Sequence, residues 1–412
     1  MINKTYKKLR KKILFILVSI LIYRIGAHIT VPGINIYQVS ILFKENSAIN
    51  LFNMFSGGAL ERMSIFSLGL MPYISASIVI QLMAGTGRGR FIDGEVGRNK
   101  ITKYIRFSTV VLAVIQSVGI AIGLVGSKIV YYKCGIFYLT IILTFVTGAI
   151  FLMWLGEQIT DKGIGNGISL IILSGLVSGL PKVLGKTLYL TKKDSSWNYI
   201  PILQFIILVM ITITLVVIIE NGQRRLKINY PRRVIGNKMY ASQSSYLPVK
   251  FNIAGVMPSI FASNILLFTA SIGQWMNKSI PLSLSPGQPL YIILFVLAVI
   301  FFSFFYTALV FNSKEVSIKL KKSGAFIPGL RPGEKTAIYI EKVTKRLTLF
   351  GAIYITFFSI IPHFIMVYCK IPVAGCGTSI LIIVVVVMDF ISQIQSYLMS
   401  NKYEMIIKKH RI

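Results

Sequence analysis

The chain has 412 residues, of which 54% are hydrophobic and only 14% are charged. Soluble domains carry about 25% charged residues, so this composition excludes a soluble globular protein and indicates a polytopic membrane protein. The net charge of +31 would suggest nucleic-acid binding in a soluble protein. In a membrane protein, its first explanation is the concentration of basic residues in cytosolic loops.

The N-terminal segment predicts a membrane-spanning helix rather than a cleaved signal peptide. Basic residues crowd the first twelve positions, and the apolar run that follows is long enough to span a bilayer. No small-residue cleavage site ends this run. We therefore expect a first span whose N-terminus lies in the cytosol.

The stretch 49–83 is apolar but too long and too interrupted for a single span. A span needs roughly 20 apolar residues, and this stretch is broken by Gly57-Gly58 and by Glu61-Arg62. We expect a short re-entrant helix near 49–60, a break, and a full span from about 64 to 83. Irregular backbone at membrane depth must be buried in protein or line an aqueous cavity, so this stretch favours a channel or a transporter.

Apolar runs of spanning length recur along the chain, and most of the 44 basic residues lie in the loops on the side of the N-terminus. This bias predicts that both termini are cytosolic. The runs predict an all-α fold with ten spans, near 12–32, 64–83, 104–126, 136–156, 166–185, 199–220, 253–276, 290–311, 347–367 and 377–399.

Ten spans divide into two sets of five that would enter the membrane in opposite directions. Inverted repeats of this kind commonly build a site at their interface. We expect an N-terminal half over 1–185, an external hinge loop over 186–198 and a C-terminal half over 199–412. This division rests on the number of spans, since no internal sequence repeat is evident.

The predicted spans carry few ionisable side chains. Ion-coupled transporters usually place such groups near the midplane, whereas an apolar constriction can seal a pore without a charged gate. The pattern favours a channel for a large or variable cargo over a small-solute secondary transporter. Arg24 either binds a backbone carbonyl that fixes the first span or contacts substrate. Asp389 is either an interfacial packing carboxylate or a proton relay.

No metal, cofactor or enzymatic site is indicated. The three cysteines have no metal-ligand spacing, although Cys369 and Cys376 share a predicted external loop and could pair. The segment 179–187, GLPKVLGKT, resembles a phosphate-binding loop but has five residues between its glycines instead of four. It also falls at the external end of a span, so we predict no nucleotide site there.

Two long basic loops, 221–250 and 312–346, lie on the predicted cytosolic side. Topological bias explains part of this charge, and a docking surface for an acidic partner or RNA phosphates is the alternative. The glycines and prolines of 324–334 indicate a loop of fixed shape. Within the membrane, Ser75-Ala76-Ser77 and Ser263-Asn264 give the second and seventh spans faces that allow close helix packing. Pro72 and Pro258 could kink the same two spans.

Several long motifs resemble those of the SecY/Sec61-alpha family, the channel subunits of the general protein-secretion translocon. They run from the first span to the last, and they are YRIGAHITVPGI (23–34), MFSGGALERMSIFSLGLMPYISASI (54–78), MWLGEQITDKGIGNGIS (153–169), FFYTALVFN (304–312), KKSGAFIPGLRPGE (321–334) and VVVVMDF (384–390).

The resemblance implies a clamshell of two five-helix halves around an hourglass pore, and it assigns roles to residues of this chain. The pore ring would be Leu70, Ile74, Ile172, Ile260, Ile265 and Ile382. The plug would be Asn50, Leu51, Phe52, Asn53, Met54, Phe55, Ser56, Gly57, Gly58, Ala59 and Leu60. The lateral gate between the second and seventh spans would include Ser75, Ser77, Ser263 and Asn264. Docking of a motor or ribosome would use Arg331, Arg224, Arg225, Arg232, Arg233, Lys321 and Lys322.

The resemblance also implies partners and a location. The partners would be SecE-like and SecG-like subunits, the SecA motor ATPase, the ribosome, unfolded precursors with their signal sequences, and membrane lipids, but not DNA. The location would be the bacterial cytoplasmic membrane. The expected function is passage of unfolded polypeptides across that membrane and lateral release of transmembrane segments. An insertase-only channel remains an alternative.

Overall fold

A computed structural model gives the fold of the chain. It describes residues 2–35, 38–39, 53, 56–85, 95–126, 135–193, 200–230, 233–235, 238–240, 243–275, 288–369 and 376–410.

The described residues are mainly helical, and each predicted span coincides with a helix. The helices are α1 Ile2–Gly26, α2 Met71–Gly85, α3 Glu95–Gly126, α4 Gly135–Lys162, α5 Gly167–Lys193, α6 Ile200–Glu220, α7 Met257–Trp275, α8 Pro289–Val310, α9 Ser313–Lys322, α10 Glu334–Cys369 and α11 Cys376–His410. Five helical segments of the described chain are long and apolar enough to cross a bilayer. They lie within α3, α4, α8 to α9, α10 and α11. The protein is therefore a multi-pass membrane protein.

The helix ends differ from the predicted spans in ways that have physical causes. Helix α1 begins at Ile2, so the basic N-terminal segment is helical and continuous with the first span. Helix α5 continues to Lys193, so the first part of the predicted hinge 186–198 is helical. Pro72 and Pro258 are the second residues of α2 and α7, where proline is tolerated, and the predicted kinks within these spans are wrong.

The predicted start of the second span at residue 64 is also wrong, because 56–70 forms consecutive turns and α2 begins only at Met71. Ser67 explains part of this, since its hydroxyl lies within hydrogen-bond reach of the carbonyls of Ser64 (2.6 Å) and Ala59 (3.2 Å). Such local bonds compete with helix formation. Four residues with positive φ complete the turns, namely Gly57 at 68°, Gly58 at 81°, Met63 at 44° and Gly69 at 55°.

This turn segment is held against the end of the first helix by backbone pairing. The amide of Val31 donates to the carbonyl of Met63 at 3.0 Å, and the amide of Ile65 donates to the carbonyl of Ile29 at 3.0 Å. On its other side, the carbonyl of Ile65 lies against Gly148 of α4, where an added Cβ would overlap it. The segment is therefore fixed between α1 and α4.

The first basic loop contains strands, which the sequence analysis did not predict. Strands β1 (Gln223–Tyr230) and β4 (Gln243–Lys250) pair antiparallel, and β2 (Arg233–Ile235) pairs with β3 (Lys238–Tyr240) at the tip. In β1, Leu226 and Ile228 are buried, whereas Arg225 and Lys227, which precede them, are exposed. Leu226 packs with Val249 of β4 and with Val343 and Leu347 of α10. The loop is thus a hairpin seated on α10.

Replacement of Gly148 by alanine tests the contact between the turn segment and α4. The new methyl group must displace the Ile65 backbone, and overpacking of this kind typically costs about 1–3 kcal/mol. We expect Gly148→Ala to lower the melting temperature of the purified protein in detergent. Gly123→Ala in α3 is the matched control, because a Cβ there meets open space, and it should leave the melting temperature unchanged or slightly raised.

Candidate functional site

Five of the six predicted ring residues meet in one buried apolar cluster. Leu70 precedes α2, and Ile74, Ile172, Ile260 and Ile382 lie on α2, α5, α7 and α11. All five are at most 7% exposed. Helices α2, α5, α7 and α11 thus contribute these residues to the same buried apolar core.

The sixth predicted ring residue, Ile265, is not brought to this cluster. Its side chain is 36% exposed, although Ile260 on the same helix is only 2% exposed. Five residues along an α-helix correspond to a rotation of about 140°, so the two side chains point to different sides of α7. The geometry groups the other five residues and leaves Ile265 outside.

The predicted plug is only partly within the described residues. Asn50, Leu51, Phe52, Met54 and Phe55 lie outside them. Residues 56–60 form a turn, whereas a short helix was predicted there. Ala59 of this turn is fully buried in the same cluster as the five ring residues. The described end of the predicted plug thus packs in the core that contains the constriction.

Asn53 ties the start of this turn to its end. The amide of Gly58 donates to the Asn53 carbonyl at 2.8 Å, and the amide of Glu61 donates to Asn53 Oδ1 at 3.0 Å. The Asn53 side chain also donates to Glu61 Oε2 at 3.1 Å. These bonds hold Asn53 against both ends of the described turn, at Gly58 and Glu61.

Three side chains of α1 and α5 hold the same turn. Tyr23 Oη donates to the carbonyl of Ser56 at 3.0 Å, and Arg24 Nη1 donates to the carbonyl of Gly57 at 3.2 Å. Arg24 Nη1 also donates to Ser178 Oγ at 2.8 Å. Arg24 therefore binds a backbone carbonyl, which is the first of the two roles that its position suggested. The roles of Tyr23 and Ser178 were not predicted.

Helices α2 and α7, which carry the predicted gate residues, pack against each other. Ser77, Ser263 and Asn264 are buried, and Ser75 is half-buried. Ser263 Oγ donates to the carbonyl of Ser259 at 2.8 Å, and Asn264 Nδ2 donates to the carbonyl of Ile260 at 2.9 Å. Both bonds stay within α7. Separation of the two helices would leave them intact.

A cavity of about 230 Å³ borders the buried apolar core. Ile260 of the ring forms part of its wall, and Glu220, Lys250, Asn252 and Asp389 supply polar groups. Lys250 Nζ and Asp389 Oδ1 form a half-exposed ion pair at 3.2 Å. Asp389 thus lies at the wall of this cavity and is paired with Lys250, the last residue of β4.

The two basic loops meet and form one surface. The amide of Asn229 in β1 donates to the carbonyl of Phe326 at 2.9 Å, and the amide of Phe326 donates back to the carbonyl of Asn229 at 3.0 Å. Ser317 Oγ donates to the carbonyl of Gly333 at 2.6 Å, and Thr336 Oγ1 donates to the carbonyl of Arg331 at 2.8 Å. These bonds give the segment 324–334 the fixed shape that its turn residues predicted.

Most of the predicted docking side chains project from this surface. Those described as exposed are Arg224, Arg225, Lys321, Lys322 and Arg331. Arg233 lies on β2, and the exposure of its side chain is not described. Arg232 lies outside the described residues. A cluster of exposed cations on a rigid base is suited to an acidic protein or to RNA phosphates.

The described residues give little support for other kinds of site. Among them, no group of three His, Cys, Asp or Glu side chains could hold a metal ion. The phosphate-loop-like segment 179–187 lies inside the helix α5, whereas a phosphate loop must wrap its amides around the ligand. The side chains of Cys369 and Cys376 are outside the described part.

Comparison with solved structures places this architecture among protein-conducting channels. A structure titled "The structure of a protein conducting channel" matches with a TM-score of 0.69 at 20% identity, and covers 95% of this chain and 92% of that chain. Sec61 from a canine ribosome–channel complex matches with a TM-score of 0.66 at 18% identity, over 95% of this chain and 92% of that chain. At these identities the likeness concerns the fold.

Curated relatives are much more similar in sequence. The protein translocase subunit SecY of Pseudomonas aeruginosa is 49% identical over 99% of this chain and 95% of the relative. The subunit of the same name from Escherichia coli K12 is 49% identical over 98% of this chain and 94% of the relative. The SecY family model matches residues 64–391. The chain that carries this buried apolar core, its turn segment and its basic surface belongs to the SecY family.

Proposed function

We propose that the chain is the protein-conducting channel subunit of a Sec translocase, which passes unfolded polypeptides across the cytoplasmic membrane. The observation that carries this proposal is the buried apolar core shared by Leu70, Ile74, Ile172, Ile260 and Ile382, to which four helices contribute and which we assign as the constriction of the channel. Relatives 49% identical over nearly the whole chain carry the name protein translocase subunit. The chemistry is passive conduction, with no bond made or broken.

An apolar ring suits a cargo of variable sequence. Isoleucine and leucine side chains make no directional hydrogen bonds, so they can close around any polypeptide. The free energy of closing and opening then depends little on the sequence of that polypeptide. When no chain is present, a narrow apolar constriction excludes water and ions by dewetting. Ring residues on separate helices can also move apart as those helices move. The proposed site therefore combines a seal with tolerance of the passing sequence.

Lateral release follows from the contact between α2 and α7. The two halves of the proposed clamshell, 1–185 and 199–412, would part here, because the polar side chains of Ser263 and Asn264 bond within α7. An apolar segment of the cargo could then partition from the pore into lipid. This proposal extends to signal sequences, whose apolar core meets the same interface.

The exposed cations of the two basic loops indicate which partners the chain binds. We infer that the exposed cations from Arg224 to Arg331 bind the SecA motor or the ribosome on the cytosolic side, where both termini would also lie. A ribosome–channel complex contains the canine Sec61 neighbour, and this supports the ribosomal part of the inference. SecE-like and SecG-like subunits complete the proposed assembly.

Photocrosslinking from position 260 tests the channel directly. A photoreactive residue in place of Ile260 should crosslink to the mature region of a stalled, partly exported precursor, because that residue lies in the ring. Crosslinks restricted to apolar segments would support an insertase-only channel. Absence of crosslinks, combined with proton-coupled uptake of a small solute by purified protein, would overturn the proposal in favour of a secondary transporter.

Asparagine in place of Ile260 should destabilise the closed ring. A buried amide without a partner costs about 1–3 kcal/mol in proteins, and this shifts the closed–open equilibrium about tenfold toward open. We expect higher resting ion conductance and export of precursors with defective signal sequences, measured in proteoliposomes of the assembled translocase.

The matched control is Ile265→Asn on the same helix. Its side chain is 36% exposed and outside the buried cluster, so conductance and signal discrimination should stay near the unsubstituted values. Equal effects at the two positions would contradict the assignment of the ring to one face of α7.

Charge reversal at Arg331 should impair partner docking. A glutamate there faces an acidic or phosphate-bearing partner with a like charge, which costs several kcal/mol at an interface. We expect Arg331→Glu to slow motor-driven export at least about tenfold while the protein still folds and inserts. Lys402→Glu, an exposed reversal on α11, is the control and should export normally. Normal export by Arg331→Glu would contradict the docking role.

A further inference from the structure

A groove between the packed helices α8 and α10 combines aromatic and charged side chains. It encloses about 710 Å³, within the range of roughly 300–1,000 Å³ that is typical of small-ligand sites. Its aromatic side chains are those of Phe301, Phe304, Phe305 and Phe311. Its charged side chains are those of Lys314 at the start of α9 and of Glu341 and Lys345 on α10. We refer to this site as the α8–α10 groove.

The buried side chains of the α8–α10 groove are threonines whose hydroxyls already donate elsewhere. Thr307 of α8 and Thr344 and Thr348 of α10 line the groove and are buried. Each hydroxyl donates to the carbonyl four residues earlier in its own helix, at distances of 2.7 to 2.9 Å. The hydroxyl hydrogens are thus used within the helices, and this part of the groove suits an apolar group such as an acyl chain.

The phenylalanines add apolar surface that is open to the bilayer. Phe301 is 57% exposed and Phe304 is 36% exposed. The rings of Phe301 and Phe305 stack with 6.2 Å between centroids and 9° between planes, so one wall of the groove is an ordered aromatic surface. Along α8, the ten residues from Phe301 to Phe311 rise about 15 Å, which is long enough to follow much of an acyl chain.

The α8–α10 groove crosses the predicted boundary between the hydrocarbon core and the headgroups. Hydropathy ends the eighth span near 311 and begins the ninth near 347, and both limits fall within the groove. The phenylalanines therefore lie on the membrane side of this boundary, and Lys314, Glu341 and Lys345 lie on the loop side. A ligand that fills the groove needs an apolar part and a polar part in this order, as a membrane lipid has.

The charges of the groove suit a headgroup that carries both signs. Lys345 Nζ pairs with Glu341 Oε1 at 2.8 Å, and Lys314 lies close enough to attract the same carboxylate. All three side chains are exposed. A carboxylate has about four acceptor sites and an ammonium has three donors, so each group can bind a ligand while the ion pair persists. A headgroup with only a phosphate would leave its negative charge facing Glu341, whereas an added ammonium satisfies that carboxylate.

We propose that the α8–α10 groove binds a phospholipid of the phosphatidylethanolamine class. The phosphate would bind Lys314 and Lys345, the primary ammonium would bind Glu341, and an acyl chain would lie along Phe301 and Phe304. Basic pockets between membrane-spanning helices bind lipid headgroups, and here the acidic side chain selects among them. Such a site does not depend on the proposed channel function.

Photocrosslinking with a labelled lipid tests the site in the purified full-length chain in detergent. The probe is phosphatidylethanolamine with a photoreactive diazirine in one acyl chain, and the labelled residues are mapped by mass spectrometry. We expect labelling concentrated at residues 301–311. Unlabelled phosphatidylethanolamine should compete at least about tenfold better than phosphatidylcholine or phosphatidylglycerol, because only its headgroup offers the carboxylate a charged hydrogen-bond donor.

Three exposed substitutions separate the headgroup contacts. Glu341→Gln should abolish the tenfold preference for phosphatidylethanolamine over phosphatidylcholine, and Lys314→Gln should weaken labelling of residues 301–311 at least about threefold. Glu315→Gln is the matched control, because Glu315 forms a similar ion pair with Lys319 at 2.8 Å outside the groove lining. It should keep both the labelling and the preference.

Several outcomes would overturn this lipid site. Equal competition by the three lipids, or labelling spread evenly over the exposed faces of α3 and α6, would show general contact with the bilayer only. Better competition by phosphatidylglycerol would show a site for an anionic headgroup. An unchanged preference in Glu341→Gln would remove the role of the carboxylate.

Discussion

The requirement that every backbone polar group at membrane depth find a partner governs this structure. Helices meet the requirement internally, but the turn segment 56–70 cannot. Its groups are met by backbone pairing with 29–31 and by side chains of α1 and α5. The apolar cluster with the constriction then forms around it, with Ala59 and Phe66 of the segment inside that cluster. An irregular segment next to a pore is possible only because neighbouring helices supply these donors and acceptors.

The proposed apolar constriction is the second consequence of the same physics. A polar ring would bind water and ions and would hold some polypeptides more tightly than others. The five clustered side chains avoid both effects, and the polar groups lie beside the ring, in the cavity with Glu220 and Asn252. In α7, the side chains of Ser263 and Asn264 bond within their own helix, so separation of α7 from α2 would leave these bonds intact.

Hydropathy predicted the helices because membrane burial leaves a strong one-dimensional signal. It failed at residues 64–70, where apolar residues form turns, since hydropathy records burial and not backbone conformation. Local serine bonds and positive φ at Gly69 decide the conformation there. The strands of 221–250 were missed although Arg225, Leu226, Lys227 and Ile228 alternate as a half-buried strand does. The clustering of five ring residues agrees with the family resemblance, but the orientation of Ile265 depends on helix rotation that spacing alone does not give.

The hairpin of β1 and β4 ends a few residues before α7, which carries two of the predicted gate residues. Strand β4 ends at Lys250, which pairs with Asp389 of α11 at 3.2 Å. Two residues later, Asn252 donates to Glu220 at the end of α6 at 3.3 Å and to the carbonyl of Gly255 at 3.1 Å, just before α7. The hairpin is therefore bonded to α11 and α6 and continuous with α7, and it carries Arg224 and Arg225 at its other strand. A displacement of the hairpin must either move these helices or break these contacts. Because Asn252 and Glu220 are buried, breaking their contact leaves unpaired polar groups, and movement of the helices is the less costly response.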